Sequence, residues 1–266
     1  MKVTLLGSGD ALGMPAPLCD CNYCLKAEKR RRPGLLVETK KARVVLDISP
    51  EIKEQLHESG AHDIDAFLVT HHHFDHFSGI QELAHAAARI EKHVSNPEDF
   101  DYDKYHDKRI RVYGNDKTKD YFNRIFSYIA EKENVSFHLL NAGDRTMIEN
   151  LTVKTFELEH GGKNLNQGYV LEKNGKKVVY APDVWKLGGP RVYENADIFF
   201  VEGHLFRARV HANQKILEKQ IESADPDRIV LLNVTEHLNQ MHIEEMKPAA
   251  DEKGYEIWSD FDSIEI

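Results

Sequence analysis

The chain has 266 residues, 41% hydrophobic and 30% charged, with a formal net charge of -9 from 35 Lys and Arg against 44 Asp and Glu. Such a chain can bury a sizeable core, and its composition excludes a disordered tail protein or a collagen-like repeat. No apolar run nears the roughly 20 residues that span a bilayer, the acidic balance disfavours a nucleic-acid binder, and Lys2 to Gly7 reads as the first strand of a cytoplasmic protein rather than a signal peptide.

Short apolar or β-branched runs recur along the chain, each bounded by Gly, Pro, Asn or Asp: Val3–Leu6, Leu35–Glu38, Arg43–Leu46, Phe67–Thr70, Ile110–Tyr113, Phe137–Leu140, Leu151–Leu158, Tyr169–Leu171, Lys177–Ala181, Ile198–Val201, Ile229–Leu232 and Glu256–Ser259. They predict strands. Helical periodicity lies between some of them, over Pro50–Ser59, Gly79–Lys92, Lys117–Lys132 and Asn213–Glu222. Ile243–Lys253 is a weaker helix that Pro248 should interrupt. Helices are too few for a purely alternating βαβ chain. The pattern predicts one domain over residues 1–266, built as two mixed sheets packed together with helices on their outer faces. The acidic, aperiodic stretch 95–108 reads as a surface insertion.

Fifteen histidines are an unusual number, and four candidate ligands fall within six residues, His71-His72-His73-Phe74-Asp75-His76, directly after the strand Phe67–Thr70. His71 and His73 can face one ion, and Asp75 and His76, on the turn into the next helix, a second. This mixed nitrogen and oxygen set suits Zn²⁺, Mn²⁺ or Fe²⁺. The bland alternative is a His-rich surface turn. The three cysteines, Cys19, Cys21 and Cys24, fall within six residues. An odd, clustered set is no disulfide framework. It can present three thiolates to one zinc, whose fourth ligand must come from elsewhere.

The histidine motif and its setting resemble the metallo-β-lactamase superfamily, an α+β fold of hydrolases arranged as an αββα four-layer sandwich, and the resemblance covers nearly the whole chain. It implies a third metal histidine at His160 and a bridging carboxylate at Asp183. The segment Gly7–Pro15 and the Cys cluster resemble the phosphodiesterase subgroup that includes the phosphoribosyl cyclic phosphodiesterase. There the resemblance implies a structural zinc held by Cys19, Cys21, Cys24 and a late histidine. It further implies His211 as the acid for the leaving group, with His204, Arg207 and Arg209 against phosphate oxygens; a solvent-facing basic loop is the alternative for these four. The same core relates the chain to the tRNA 3′-processing endonuclease, which ranks lower because no basic balance accompanies it.

One position departs from the pattern. The subgroup places a metal histidine directly after a late strand, and here Asn233 follows Ile229–Leu232, with His237 four residues on. Either Asn233 takes that place and His237 joins the cysteines, or the loop shifts and His237 reaches the catalytic metal. The first assignment gives His71, His73 and His160 one ion and Asp75, His76 and Asn233 another, with Asp183 between. The expectation is therefore a phosphodiesterase for a small phosphodiester, cyclic or linear. It would use one or two catalytic Zn or Mn ions, a metal-bound hydroxide oriented by Asp75, and one structural Zn. Its partner would be a small molecule, with no nucleic acid or membrane, and a homodimer stays open. A lactone or thioester hydrolase and a non-hydrolytic metal-binding protein are the alternatives.

Overall fold

A computed structural model describes residues 1–85, 110–131, 134–160, 163–189, 191–203 and 214–266. The expected insertion at 95–108 lies outside them. Fifteen strands are seen among the described residues: β1 (Lys2–Gly7), β2 (Gly34–Glu38), β3 (Arg43–Leu46), β4 (Ala66–Leu68), β5 (Ile110–Gly114), β6 (Val135–Leu139), β7 (Arg145–Ile148), β8 (Leu151–His160), β9 (Lys163–Lys173), β10 (Lys176–Ala181), β11 (Lys186–Leu187), β12 (Ile198–Glu202), β13 (Ile229–Leu232), β14 (Tyr255–Glu256) and β15 (Ser263–Glu265). They form two mixed sheets. One runs β15-β1-β2-β3-β4-β5-β6, the other β11-β8-β9-β10-β12-β13-β14 with β7 beside β8. In the first, β3 to β6 are parallel. In the second, β10, β12, β13 and β14 are parallel.

Side-chain alternation explains the layers, because successive residues of a strand face opposite sides. Val44 and Leu46 of β3 pack with Ile198 and Phe200 of β12 in the core between the sheets. Val45 points the other way, to a layer with Ile52, Phe77, Ile80 and Phe122. Phe199 and Val201 likewise face Leu217, Ile221, Met246 and Ala250. Strands buried on both faces read as continuous apolar runs, which is why IFFVE and IVLL carry no alternation. The result is helix, sheet, sheet, helix, in agreement with the expected sandwich.

Three sequence readings need correction. The helix Ile243–Asp251 runs through Pro248. A proline inside a helix costs about 3 kcal/mol, and here burial of Ile243, Met246 and Ala250, with a capping box between His242 and Glu245, outweighs it. The stretch 117–132 is not one helix: Asp116–Ile125 and Ser127–Ala130 are separated at Phe126. That ring is drawn into the core against Phe77, 5.9 Å between centroids. The strand expected over Glu256–Ser259 is only β14, because the Trp258 carbonyl accepts from the buried Arg30 guanidinium instead of a neighbouring strand. No described helix is long and apolar enough to cross a membrane.

Candidate metal centre

The parallel strands end at one edge, where sites of open sheets form. The loop after β4 carries His71 and His73, and the one-turn helix Phe74–Phe77, with His73 as its N-cap, carries Asp75 and His76. β8 ends at His160 after a register shift between Leu158 and His160, the kind of bulge that re-aims a side chain. Asp183 follows β10, and Asn233, in a left-handed conformation, follows β13. Trp185 N donates to the Glu159 carbonyl, so the loop holding Asp183 is tied to the end of β8.

These residues meet in two groups. Ligand-type atoms of His71, His73, His160 and Asp183 all lie within 4.8 Å of one another, as do those of Asp75, His76 and Asp183. Asp183 belongs to both, and its two oxygens divide the work. Its Oδ2 lies 3.8 Å from His71 Nε2 and 3.7 Å from His160 Nε2. Its Oδ1 lies 3.3 Å from His76 Nε2. His160 Nε2 and His73 Nδ1 are 3.4 Å apart, and His76 Nε2 and Asp75 Oδ2 3.0 Å. Two ligands at 2.0–2.1 Å from a tetrahedral zinc lie about 3.4 Å apart, so the spacing suits an ion in each group.

The hydrogen bonds behind the rings fix their tautomers. Asp47, at the end of β3 with φ 62°, accepts from Thr70 N (2.8 Å), Thr70 Oγ1 (2.9 Å) and Tyr180 OH (3.0 Å). It also sits 2.7 Å from His76 Nδ1. A carboxylate only accepts, so the neutral His76 ring would carry its proton on Nδ1 and turn a bare Nε2 to the site. Thr70 gives its hydroxyl proton to Asp47 and lies 3.0 Å from His71 Nδ1, which leaves His71 Nε2 bare in the same way. Such partners orient metal-binding histidines and raise their basicity.

Charge and burial agree with a cation. His71 Nε2 and His76 Nε2 are buried with no hydrogen-bond partner of good geometry, a costly state unless an ion completes them. Burial, reinforced by neighbouring imidazoles, pushes the His71 pKa well below the ordinary value, so the ring is neutral and able to ligate. Burial lowers His73 too. At His76 burial opposes the charge, but the carboxylates of Asp75, Asp47 and Asp183 outweigh it and push its pKa well above the ordinary value. A surplus of carboxylates around one imidazole is an environment that a divalent ion would neutralise.

Asn233 presents its amide nitrogen to Asp183 Oδ1 (2.8 Å), the Pro182 carbonyl (3.1 Å) and Glu202 Oε2 (3.3 Å). His237 lies with the cysteines: its Nδ1 is 3.3 Å from Cys19 Sγ and 3.4 Å from Cys21 Sγ, and Cys24 completes a set within 4.8 Å. Cys21 caps the helix Asn22–Lys26, and His237 rides on the helix Glu236–Asn239. Contact with His237, then the Cys24 backbone N–H, lowers the Cys21 pKa to about 6, while burial raises Cys24 to about 11. One sulfur is thus ready to ligate at neutral pH, and an ion would have to displace the proton from another.

His72 leaves the site and stacks on Tyr121. His204, Arg207, Arg209 and His211 lie outside the described residues. Sequence reasoning missed Asp47, Thr70, Tyr180 and Glu202. Only Glu202 carried a signal, an acid closing the buried run Ile198–Glu202. A further group, Glu236, His242 and Glu244, also comes together, and Glu236 there accepts from the Ile243 backbone N–H.

Residues 42–234 match the β-lactamase superfamily domain. The chain belongs to this superfamily, whose members are metal-dependent hydrolases. It is similar to the octanoyltransferase of Porphyromonas gingivalis, 39% identical over 87 residues, 31% of this chain and 18% of that protein. It is similar to the ribonuclease Z of Methanopyrus kandleri, 30% identical over 141 residues, 51% of this chain and 42% of that protein. The chain thus spans less than half the length of either curated relative. Among solved structures, a new diphosphatase from the PhnP family superposes with a TM-score of 0.80 at 21% identity, covering 100% of this chain and 97% of that one. Zn²⁺-bound PqqB from Methylobacterium extorquens gives 0.79 at 15% identity, covering all of both chains. The short form of human tRNase Z gives 0.66 at 18%, covering 100% and 99%. At these identities they show the fold alone.

Proposed function

We propose that the chain is a metal-dependent phosphodiesterase acting on a small phosphodiester. The observation that carries this is the placement of Asp183, whose Oδ2 faces His71 and His160 while Oδ1 faces His76. Divalent ions held there, Zn or Mn, would supply a water of lowered pKa and positive charge for the phosphoryl oxygens. Asp183 holds both halves of the site in register. Asp75, buried with Oδ2 against His76, orients the attacking water. His211 protonates the leaving alkoxide, the general-acid role open to an imidazole at neutral pH. His204, Arg207 and Arg209 contact phosphate oxygens; these four roles rest on sequence order. Cys19, Cys21, Cys24 and His237 hold a separate structural zinc. The names of the PhnP-family diphosphatase and of ribonuclease Z support hydrolysis at phosphorus, and the second a phosphodiester.

A metal-binding protein without turnover is a second reading, favoured by Asn233 where the subgroup has a histidine. The test is a substrate panel on the zinc- and manganese-loaded protein: bis(p-nitrophenyl) phosphate, a small cyclic phosphodiester, a lactone and a thioester. Phosphodiester turnover that chelation abolishes is expected. Turnover of the lactone or thioester alone would replace the substrate class, and none at all would favour the second reading.

A further inference from the structure

β10, β12 and β13 lie side by side and parallel, with Ala181 opposite Val201 and Glu202 opposite Leu232. Their ends therefore deliver Asp183, Glu202 and Asn233 to one place. All three are buried, Glu202 completely. The Asn233 amide nitrogen lies within reach of Asp183 Oδ1, Glu202 Oε2 and the Pro182 carbonyl, at 2.8, 3.3 and 3.1 Å. All three are acceptors. Turning the amide over would set its oxygen against two carboxylates and a carbonyl, so the chemistry of the neighbours dictates which amide atom faces them.

We infer that Asn233 and Glu202 form a positioning pair for Asp183. The amide holds Asp183 Oδ1 toward the Asp75 and His76 side and so keeps Oδ2 on the His71, His73 and His160 side. Glu202 fixes the amide in the orientation that does this. It also adds a fourth buried acidic side chain to Asp47, Asp75 and Asp183 beside the site. The pair would do by orientation and charge what a histidine ligand does elsewhere. The inference rests on reading the site as a metal centre, and it concerns both ions, because both halves share Asp183.

Two measurements test it. The first is zinc affinity by chelator competition, with metal counted per chain, on the wild type, Asn233→Ala, Glu202→Gln and the double variant. Loss of a partner that orients a ligand weakens metal binding about 10–100-fold. Each single variant should weaken both catalytic ions by that factor, and the double should be no worse than the poorer single, because the two act along one path. If Asn233→Ala releases one ion and leaves the other at wild-type strength, Asn233 is a ligand and the pair is wrong. Wild-type affinity in Glu202→Gln, or additive losses, also overturns it.

The second is thermal melting in chelator, which needs no metal. Asn233→Asp sets a third carboxylate against Asp183 and Glu202 and should melt below Asn233→Ala. Adding Glu202→Gln restores an amide beside it and should recover part of the loss. If Asn233→Asp melts at or above Asn233→Ala, or Glu202→Gln gives no recovery, the donor role fails. A wild type that binds zinc only at the cysteines would sink the proposed function, and the melting series would still decide the pair.

Discussion

The His/Asp centre and the Cys/His centre are built on opposite plans. The first hangs on strand ends of both sheets, and its two best-buried rings are backed by Thr70 and Asp47. The second hangs on two one-turn helices and joins residues 218 apart in sequence. In the first the sandwich stands on its own apolar core, and an ion would add chemistry. In the second the ion itself would hold the loop 19–24 to the segment after β13. The first should therefore lose function when disturbed and the second stability.

The largest separation of the two should come from Asp183→Ala. One carboxylate serves both groups, so most catalytic metal should be lost and phosphodiester turnover should fall to background, while the zinc at the cysteines stays; metal analysis beside a rate assay reads both. His211→Ala sharpens the comparison within the first centre. Metal content should hold and turnover on poor leaving groups should drop by roughly 10²–10⁴-fold. Nitrophenyl esters, which need less protonation, should suffer less; equal loss on both would remove His211 from the acid role. Asp47→Asn asks whether the backing of the rings matters. Zinc should bind about 10–100-fold more weakly at the first centre, and unchanged affinity would make Asp47 a fold residue only. The smallest effect on rate belongs to Cys21→Ser and His237→Ala. Each should release one zinc per chain and lower Tm by about 5–10 °C, on the basis of about 2–4 °C per kcal/mol for a domain near this size. Turnover per folded molecule should stay within about twofold. Lost activity at an unchanged Tm would break the division between the centres.

What the sequence made legible follows from how local each feature is. His71 to His76 and Cys19 to Cys24 are spaced within one loop, so their pattern survives in one dimension. His160, Asp183 and Asn233 come together only because β8, β10 and β13 end at one edge, and hydrophobic periodicity does not say which strands pair. They were legible through the family's order of motifs alone. Asp47 had no pattern at all: a single acid after a strand reads as a turn, and its role depends on Thr70, His76 and Tyr180, which are distant in sequence. The helices Asn22–Lys26, Phe74–Phe77 and Glu236–Asn239 are too short to show a 3.6-residue period. The layered sandwich was readable because its strands are apolar on both faces, and β7, β11 and β15 were not because they are short and partly exposed.

The pairing of β1 with β15 has a mechanical consequence. Lys2 lies opposite Glu265, the Met1 ammonium donates to the Ile266 carbonyl, and Ile266 N returns a bond to Met1. A pull that draws these two residues apart acts across the strands, so it opens this antiparallel pair one bond at a time, the weak direction for a sheet. The tear then meets Asp260, which grips Ser8 and the Arg31 backbone and side chain. Beyond that lies the contact between Cys19 and His237. A cation clasped at that point would carry the tension across, and the chain between those two residues, β2 to β13 included, would feel no load until the clasp let go.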